Sequence, residues 1–238
     1  MRRNLVLSTL AVLASVGLAS RAGAYEAVAV TDGGTLSGAV TYEGTPPPPQ
    51  KIEVTKDPEV CGKDKTAPNL LVGQGGGIAN VVVVVNATKG KKLEVPAQNP
   101  TFDQKTCEFH PHVLAFPAGS TIDVTNSDGI LHNIHTTSTV NPSQNQAQPK
   151  FKQKIQLKVE KPEWPINVKC DVHGWMSGYW ISEEHPYFAV TDANGAFKIA
   201  DLPPGDYQVE LWQEKLGKKT MPASIKAKEE TKVAWTMK

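Results

Sequence analysis

Cys170-Asp171-Val172-His173-Gly174-Trp175-Met176 sets a thiolate, an imidazole and a thioether on one tight loop. These are soft donors suited to copper, and the spacing Cys-x-x-His-x-x-Met keeps all three within reach of one ion. A further imidazole is available upstream in Leu131-His132-Asn133-Ile134-His135. Two His and one Cys with a distant, weakly held Met form the donor set of a mononuclear electron-transfer copper centre. The expected metal ligands are therefore His132, Cys170, His173 and Met176, around one type 1-like copper ion. Met176 is the weakest of the four, because an axial position accepts other donors.

Such a loop needs a stiff frame, and the flanking sequence reads as strand almost throughout. Alternating or β-branched runs are cut by Gly, Pro, Asn and Asp, with no 3.6-residue periodicity beyond the first two dozen residues. The clearest strands are expected at 35–42, 79–86, 120–125, 152–159, 166–169, 179–182, 196–199, 207–212, 224–227 and 232–237. Turn signals separate them, among them Ser127-Asp128-Gly129, Asp192-Ala193-Asn194-Gly195 and Pro203-Pro204-Gly205-Asp206. The run Val81 to Val85 lacks alternation, so it is expected to be buried on both faces, as in a central strand. The segment between the stiff Pro46 to Pro49 and the flexible Gly73 to Gly77 is expected to run over the surface. The fold class is all-β.

Two resemblances organise the chain. Pro117-Ala118-Gly119, Val124-Thr125-Asn126-Ser127-Asp128, His132-Asn133-Ile134-His135 and the Cys170 loop together resemble the small blue-copper cupredoxins of the amicyanin and plastocyanin kind. That likeness covers about 85 residues and implies a Greek-key β-sandwich at 100–185, with Asn133 tying the ligand loops together by hydrogen bonds. Asp171 departs from the hydroxyl or small residue the family offers after its Cys. Trp175 is placed to cover the site and exclude water. The second resemblance rests on Gly34 to Val40, Thr191-Asp192-Ala193-Asn194-Gly195-Ala196-Phe197 and Leu202-Pro203-Pro204-Gly205-Asp206-Tyr207. These look like a carboxypeptidase regulatory-like, transthyretin-type β-sandwich, with a first part at 25–99 and a second at 186–238 flanking the inserted copper domain. A tandem arrangement stays open, since Val81 to Val85 could serve either sheet.

Compartment follows from the first residues and the cysteines. Basic Met1-Arg2-Arg3-Asn4, apolar Leu5 to Ala19 and the small-residue pattern Ala22-Gly23-Ala24 read as a cleaved secretory signal at 1–24, hence a periplasmic or secreted protein beginning at Tyr25. An uncleaved anchor is the alternative. The mature chain is expected to have no membrane span. Its 22 basic and 24 acidic residues, once Arg2, Arg3 and Arg21 are gone, favour neither nucleic acid nor an anionic membrane. Three cysteines in an oxidising compartment suggest one disulfide and one thiol kept for another purpose. Cys61 and Cys107 are the natural pair and Cys170 the remainder, though sequence leaves other pairings open.

The leftover histidines allow a second metal site at His110, His112 and His135. The chain has no Cys-x-x-x-Cys, Cys-x-x-Cys-His, Gly-x-Ser-x-Gly or His-Glu-x-x-His, so it is expected not to be an enzyme. Three functions fit: a one-electron carrier working with a redox partner protein, a copper delivery or buffering protein, or a metal-stabilised binding module using Trp175, Trp180 and Trp212 as exposed aromatics.

Overall fold

The computed structural model describes residues 25–238; the signal segment expected at 1–24 lies outside the described residues. The chain opens with β1 (Glu26–Ala27), β2 (Gly34–Tyr42), β3 (Lys51–Glu53), the one-turn helix α1 (Pro58–Cys61), β4 (Asp64–Thr66), β5 (Val82–Val85) and β6 (Lys89–Gly90). A middle block follows with β7 (Thr101–Lys105), β8 (Glu108–His110), β9 (Val113–Pro117), β10 (Thr121–Asn126), β11 (His132–Thr137), β12 (Asn145–Gln148), β13 (Lys154–Lys158), β14 (Glu163–Lys169) and β15 (Ser177–Glu183). The last block is β16 (Phe188–Val190), β17 (Ala196–Leu202), β18 (Gly205–Gln213), β19 (Gly217–Ile225) and β20 (Glu230–Met237). The all-β expectation holds, and among the described residues no helix is long and apolar enough to cross a membrane.

The middle block makes two sheets, ordered β13-β10-β7-β8 and β12-β11-β14-β15-β9. Period-2 patterning explains the first. β10 points Ile122 and Val124 inward and β13 points Ile155 and Leu157 inward, and the antiparallel register sets Ile122 opposite Leu157 and Val124 opposite Ile155. Trp180 from β15 closes the core, fully buried and edge-on to Phe102 and Phe116 at 5.5 and 6.1 Å.

The other two main sheets, β16-β5-β18-β19 and β17-β2-β20, draw strands from both sides of that block. The turn that carries the chain from β16 to β17 depends on Gly195, whose φ of 76° falls in the left-handed region. A Cβ there would sit 2.3 Å from the Val40 carbonyl oxygen, so no larger residue fits. Asp192 Oδ1 completes the turn by accepting the backbone N–H groups of Asn194 and Ala196.

The valine run is buried on both faces, and each face has its own core. Val81, Val83 and Val85 pack with Leu36, Val209, Leu211 and Trp235 inside the sandwich of β2, β5 and β18. Val82 and Val84 point the other way and pack with Val113, Ile181 and Trp212, a seam against the middle block. Alternation vanishes because both faces leave water, each valine contributing roughly 1.5–3 kcal/mol.

Weakly patterned strands were not expected from sequence, chiefly β7, β8, β9, β11 and β12. The segment expected to run free over the surface is a strap. β3 and β4 pair as a hairpin with α1 between them, and the strap is fastened to the middle block by a Cys61–Cys107 disulfide and by Lys65 Nζ on Glu108 Oε1 at 2.6 Å. Val54, Val60 and Cys61 join the middle block's core. Trp180 and Trp212 are buried rather than exposed, because one fills a core and the other the seam.

Candidate metal centre

The loop at 170–176 is closed by its own backbone. Met176 N–H donates to the His173 carbonyl at 2.9 Å, and Cys170 N–H to the Met176 carbonyl at 3.3 Å. This closes the loop on itself, and Cys170, His173 and Met176 are all buried. His132 arrives from the start of β11, which pairs with β14 and so begins beside the end of the strand that leads into Cys170.

Three donor atoms converge there. Cys170 Sγ lies 3.8 Å from His132 Nδ1 and 3.9 Å from His173 Nδ1, and the two ring nitrogens are 3.0 Å apart. Cys170 is a free thiol, and His132 and His173 are completely buried. The far nitrogen of each ring is bonded to a carboxylate: His132 Nε2 to Asp128 Oδ2 at 2.9 Å, and His173 Nε2 to Asp57 Oδ2 at 2.8 Å. Each Nε2 therefore carries a proton, and both Nδ1 atoms, turned toward one another and the sulfur, are left to share a proton or a metal ion. Electron pairs crowded in this way repel unless they share a cation. A metal ion about 2.0 Å from each nitrogen, in the plane of the three atoms, would lie about 2.2 Å from the sulfur, close to the ~2.3 Å of a metal–thiolate bond. The residues fit a trigonal His2Cys ion.

The local electrostatics agree. Burial alone would push the Cys170 thiol up, but the His132 ring and the backbone N–H groups of Asn133, His173 and Val172 outweigh it and hold the thiol below its ordinary value. Burial likewise opposes charge on His132, yet Asp128 and Cys170 hold its pKa up to about 9. His173 is lowered, first by burial and then by the neighbouring His132, against the pull of Asp57. Asp128 is lowered despite burial, by His132 and by the backbone N–H groups of Cys107 and Thr106.

Around these groups the hydrogen bonds are closed. Asn133 Oδ1 accepts the Asp171 N–H at 2.6 Å, and its amide donates to Asp171 Oδ2 at 3.0 Å and Asn145 Oδ1 at 2.8 Å. The residue after the Cys thus finds partners although it is an acid. Asn126 shapes the 127–131 turn by donating to the Ile130 and Gln148 carbonyls and accepting the Asp128 N–H. Trp175 lies against His173 with ring centroids 5.2 Å apart, and its Nε1–H donates to the Cys107 carbonyl at 3.2 Å.

Two sequence expectations change here. His110, His112 and His135 do not form a second metal cluster. Pro111 interrupts the strand, since it cannot donate to a ladder, so His110 ends β8 while His112 precedes β9, and the two are not alternate residues of one strand. His112 Nε2 bonds Glu214 Oε1 at 2.5 Å, His135 Nδ1 bonds Asp171 at 3.0 Å, and His110 is half exposed beside Glu108. Sequence reading also missed Asp57 and Asp128 as partners of the rings. Asp128 stands in sequence as a turn residue and as part of the segment before His132, and no pattern in sequence connects Asp57 with a histidine 116 positions away.

No protein-family model matches the chain, and no curated relative matches it in sequence. Solved structures with local likeness include a copper-containing nitrite reductase from Thermus scotoductus SA-01, at 21% identity and a TM-score of 0.32 over 40% of this chain and 26% of that one. A point mutant of amicyanin in its reduced state matches at 20% identity and 0.33, over 38% of this chain and 87% of that one. A purple cupredoxin from Nitrosopumilus maritimus matches at 18% and 0.31, over 36% of this chain and 100% of that one. The chain thus spans about a quarter of the nitrite reductase. Likeness at this level carries no argument about activity, which has to rest on the side chains described above.

Proposed function

We propose that this chain is an exported copper protein in which His132, Cys170, His173 and Met176 hold one type 1-like copper ion and pass single electrons between partner proteins. The observation that carries this reading is the convergence of Cys170 Sγ and two Nδ1 atoms within 3.9 Å of one another, with each Nε2 tied to a carboxylate. When bound, copper supplies a one-electron Cu(I)/Cu(II) couple. The chain's part is to hold the donors still. Both rings are locked by carboxylates, Asn133 bridges the two ligand loops, and the β-sandwich fixes where those loops start, so little needs to rearrange when the electron count changes. Met176, buried at the end of the same loop, would supply a further, weaker thioether donor.

Burial favours carriage over delivery. A delivery protein must release its ion to a partner, whereas here the ligands are sealed under Trp175 and a disulfide-fastened strap. The reading as an aromatic binding module loses its motive, with Trp180 and Trp212 inside the protein. Export is supported by the Cys61–Cys107 disulfide, which persists in oxidising compartments. The test is copper reconstitution followed by optical and electron-paramagnetic spectroscopy. Strong absorption at about 600 nm, abolished in Cys170→Ser and altered in His132→Ala, is expected of a thiolate-bound cupric centre. A colourless copper-loaded protein sinks the proposal.

A further inference from the structure

One of the two carboxylates behind the rings comes from far outside the sandwich that holds the ligands. Asp57 lies on the strap, at the N-terminal end of α1, with φ 49° and ψ 46°. Aspartate is among the few non-glycine residues that enter the left-handed region readily. Aspartate is among the best residues for capping a helix start, yet the Asp57 side chain makes no bond to its own helix. It turns instead to His173 Nε2 at 2.8 Å.

The strap that delivers it is fixed at the neighbouring turn. Cys61 N–H donates to the Asp57 carbonyl at 2.9 Å, and Cys61 is bonded to Cys107. Cys107 N–H in turn donates to Asp128 Oδ2 at 2.8 Å, the carboxylate behind His132. A single disulfide therefore joins the segment that carries Asp57 to the turn whose Cys107 N–H holds Asp128. The same sulfurs lie against His173, but being bonded to each other they offer it no thiolate.

We propose that Asp57 is a positioning residue of the metal centre. By accepting the Nε2–H of His173 it fixes that ring with its Nδ1 lone pair aimed at the point shared by His132 Nδ1 and Cys170 Sγ, and the disulfide-latched strap keeps it there. The identity of the ion rests on the copper reading; the orientation of the ring does not.

The experiment compares the parent protein with Asp57→Gly and Asp57→Asn. Glycine adopts a φ of 49° freely, so it removes the carboxylate while sparing the strap, and a thiol count verifies that Cys61–Cys107 is intact. Asparagine keeps an oxygen able to accept the same hydrogen bond. In metal-free protein, nitrogen-15 NMR of the His173 ring is expected to show Nε2–H alone in the parent and in Asp57→Asn, and a mixture of tautomers in Asp57→Gly. Copper affinity against a chelator is expected to fall about 10- to 100-fold in Asp57→Gly and much less in Asp57→Asn. A single Nε2–H tautomer together with parental copper affinity in Asp57→Gly overturns the proposal. Should the parent bind copper without a Cys170-dependent band, the copper reading falls, and the ring tautomers in metal-free protein still decide the role of Asp57.

Discussion

Replacing Glu183 by Gln is expected to leave stability unchanged near pH 5 and to raise it at pH 9. Glu183 ends β15 opposite Pro117, is 5% exposed, and its Oε1 has no hydrogen-bond partner. Burial, followed by the charges of Glu184 and Glu210, pushes its carboxyl from 4.5 up to about 8. Between those values the folded chain keeps a proton that the unfolded chain has released, so stability falls as pH rises. The favourable contribution is complete below 4.5 and is lost as pH passes about 8. At about 1.36 kcal/mol per pH unit, the gap sets a ceiling of roughly 5 kcal/mol, and water reaching the carboxylate brings the expected figure to ~2–3 kcal/mol. For a chain of this size that is a shift in Tm of about 5–10 °C. Gln has no proton to lose, so the Tm difference between variant and parent, read by calorimetry from pH 5 to 9, isolates this one group. A difference that stays flat across that range refutes the reasoning.

Two further predictions concern packing. Replacing both Cys61 and Cys107 by Ala removes a cross-link over 46 residues and is expected to lower stability by about 4 kcal/mol, measured by urea unfolding of the metal-free protein. The strap should also become a preferred cleavage site for a protease, which the parent resists. Val84→Lys places an ammonium in the seam and is expected to cost several kcal/mol, as much as the same change at Val83; a near-neutral effect at Val84 in thermal unfolding would mean the seam does not close.

Much of the fold was legible because its signals are local. β10 and β13 alternate cleanly, the Asp192 to Gly195 turn announces itself by residue type, and the uninterrupted valines of β5 announced burial on two faces. β7 and β12 escaped notice because the polar Gln104 and Gln148 occupy inward positions, where Gln104 Nε2 donates to Gln148 Oε1 at 2.6 Å. Of the candidate ligands, the structure brings Cys170, His132 and His173 within reach of one another. The rings' outer partners stayed hidden for a physical reason. A hydrogen bond between Asp57 and His173 depends on where the strap is laid down, and the disulfide that lays it down is a contact between distant residues that leaves no periodic trace. The expected second metal cluster did not form, and each of its histidines lies beside a carboxylate instead.

The two-faced valine strand makes the halves of this molecule inseparable. Cutting the middle block out and rejoining the ends would leave Val82, Val84 and Trp212 as a bare oily stripe, ready to stick to any similar surface. An engineer wishing to transplant alone the half that carries Cys170, His132 and His173 would have to repaint Val113 and Ile181 as well. In this chain a party wall, rather than a hinge, separates one room from the next.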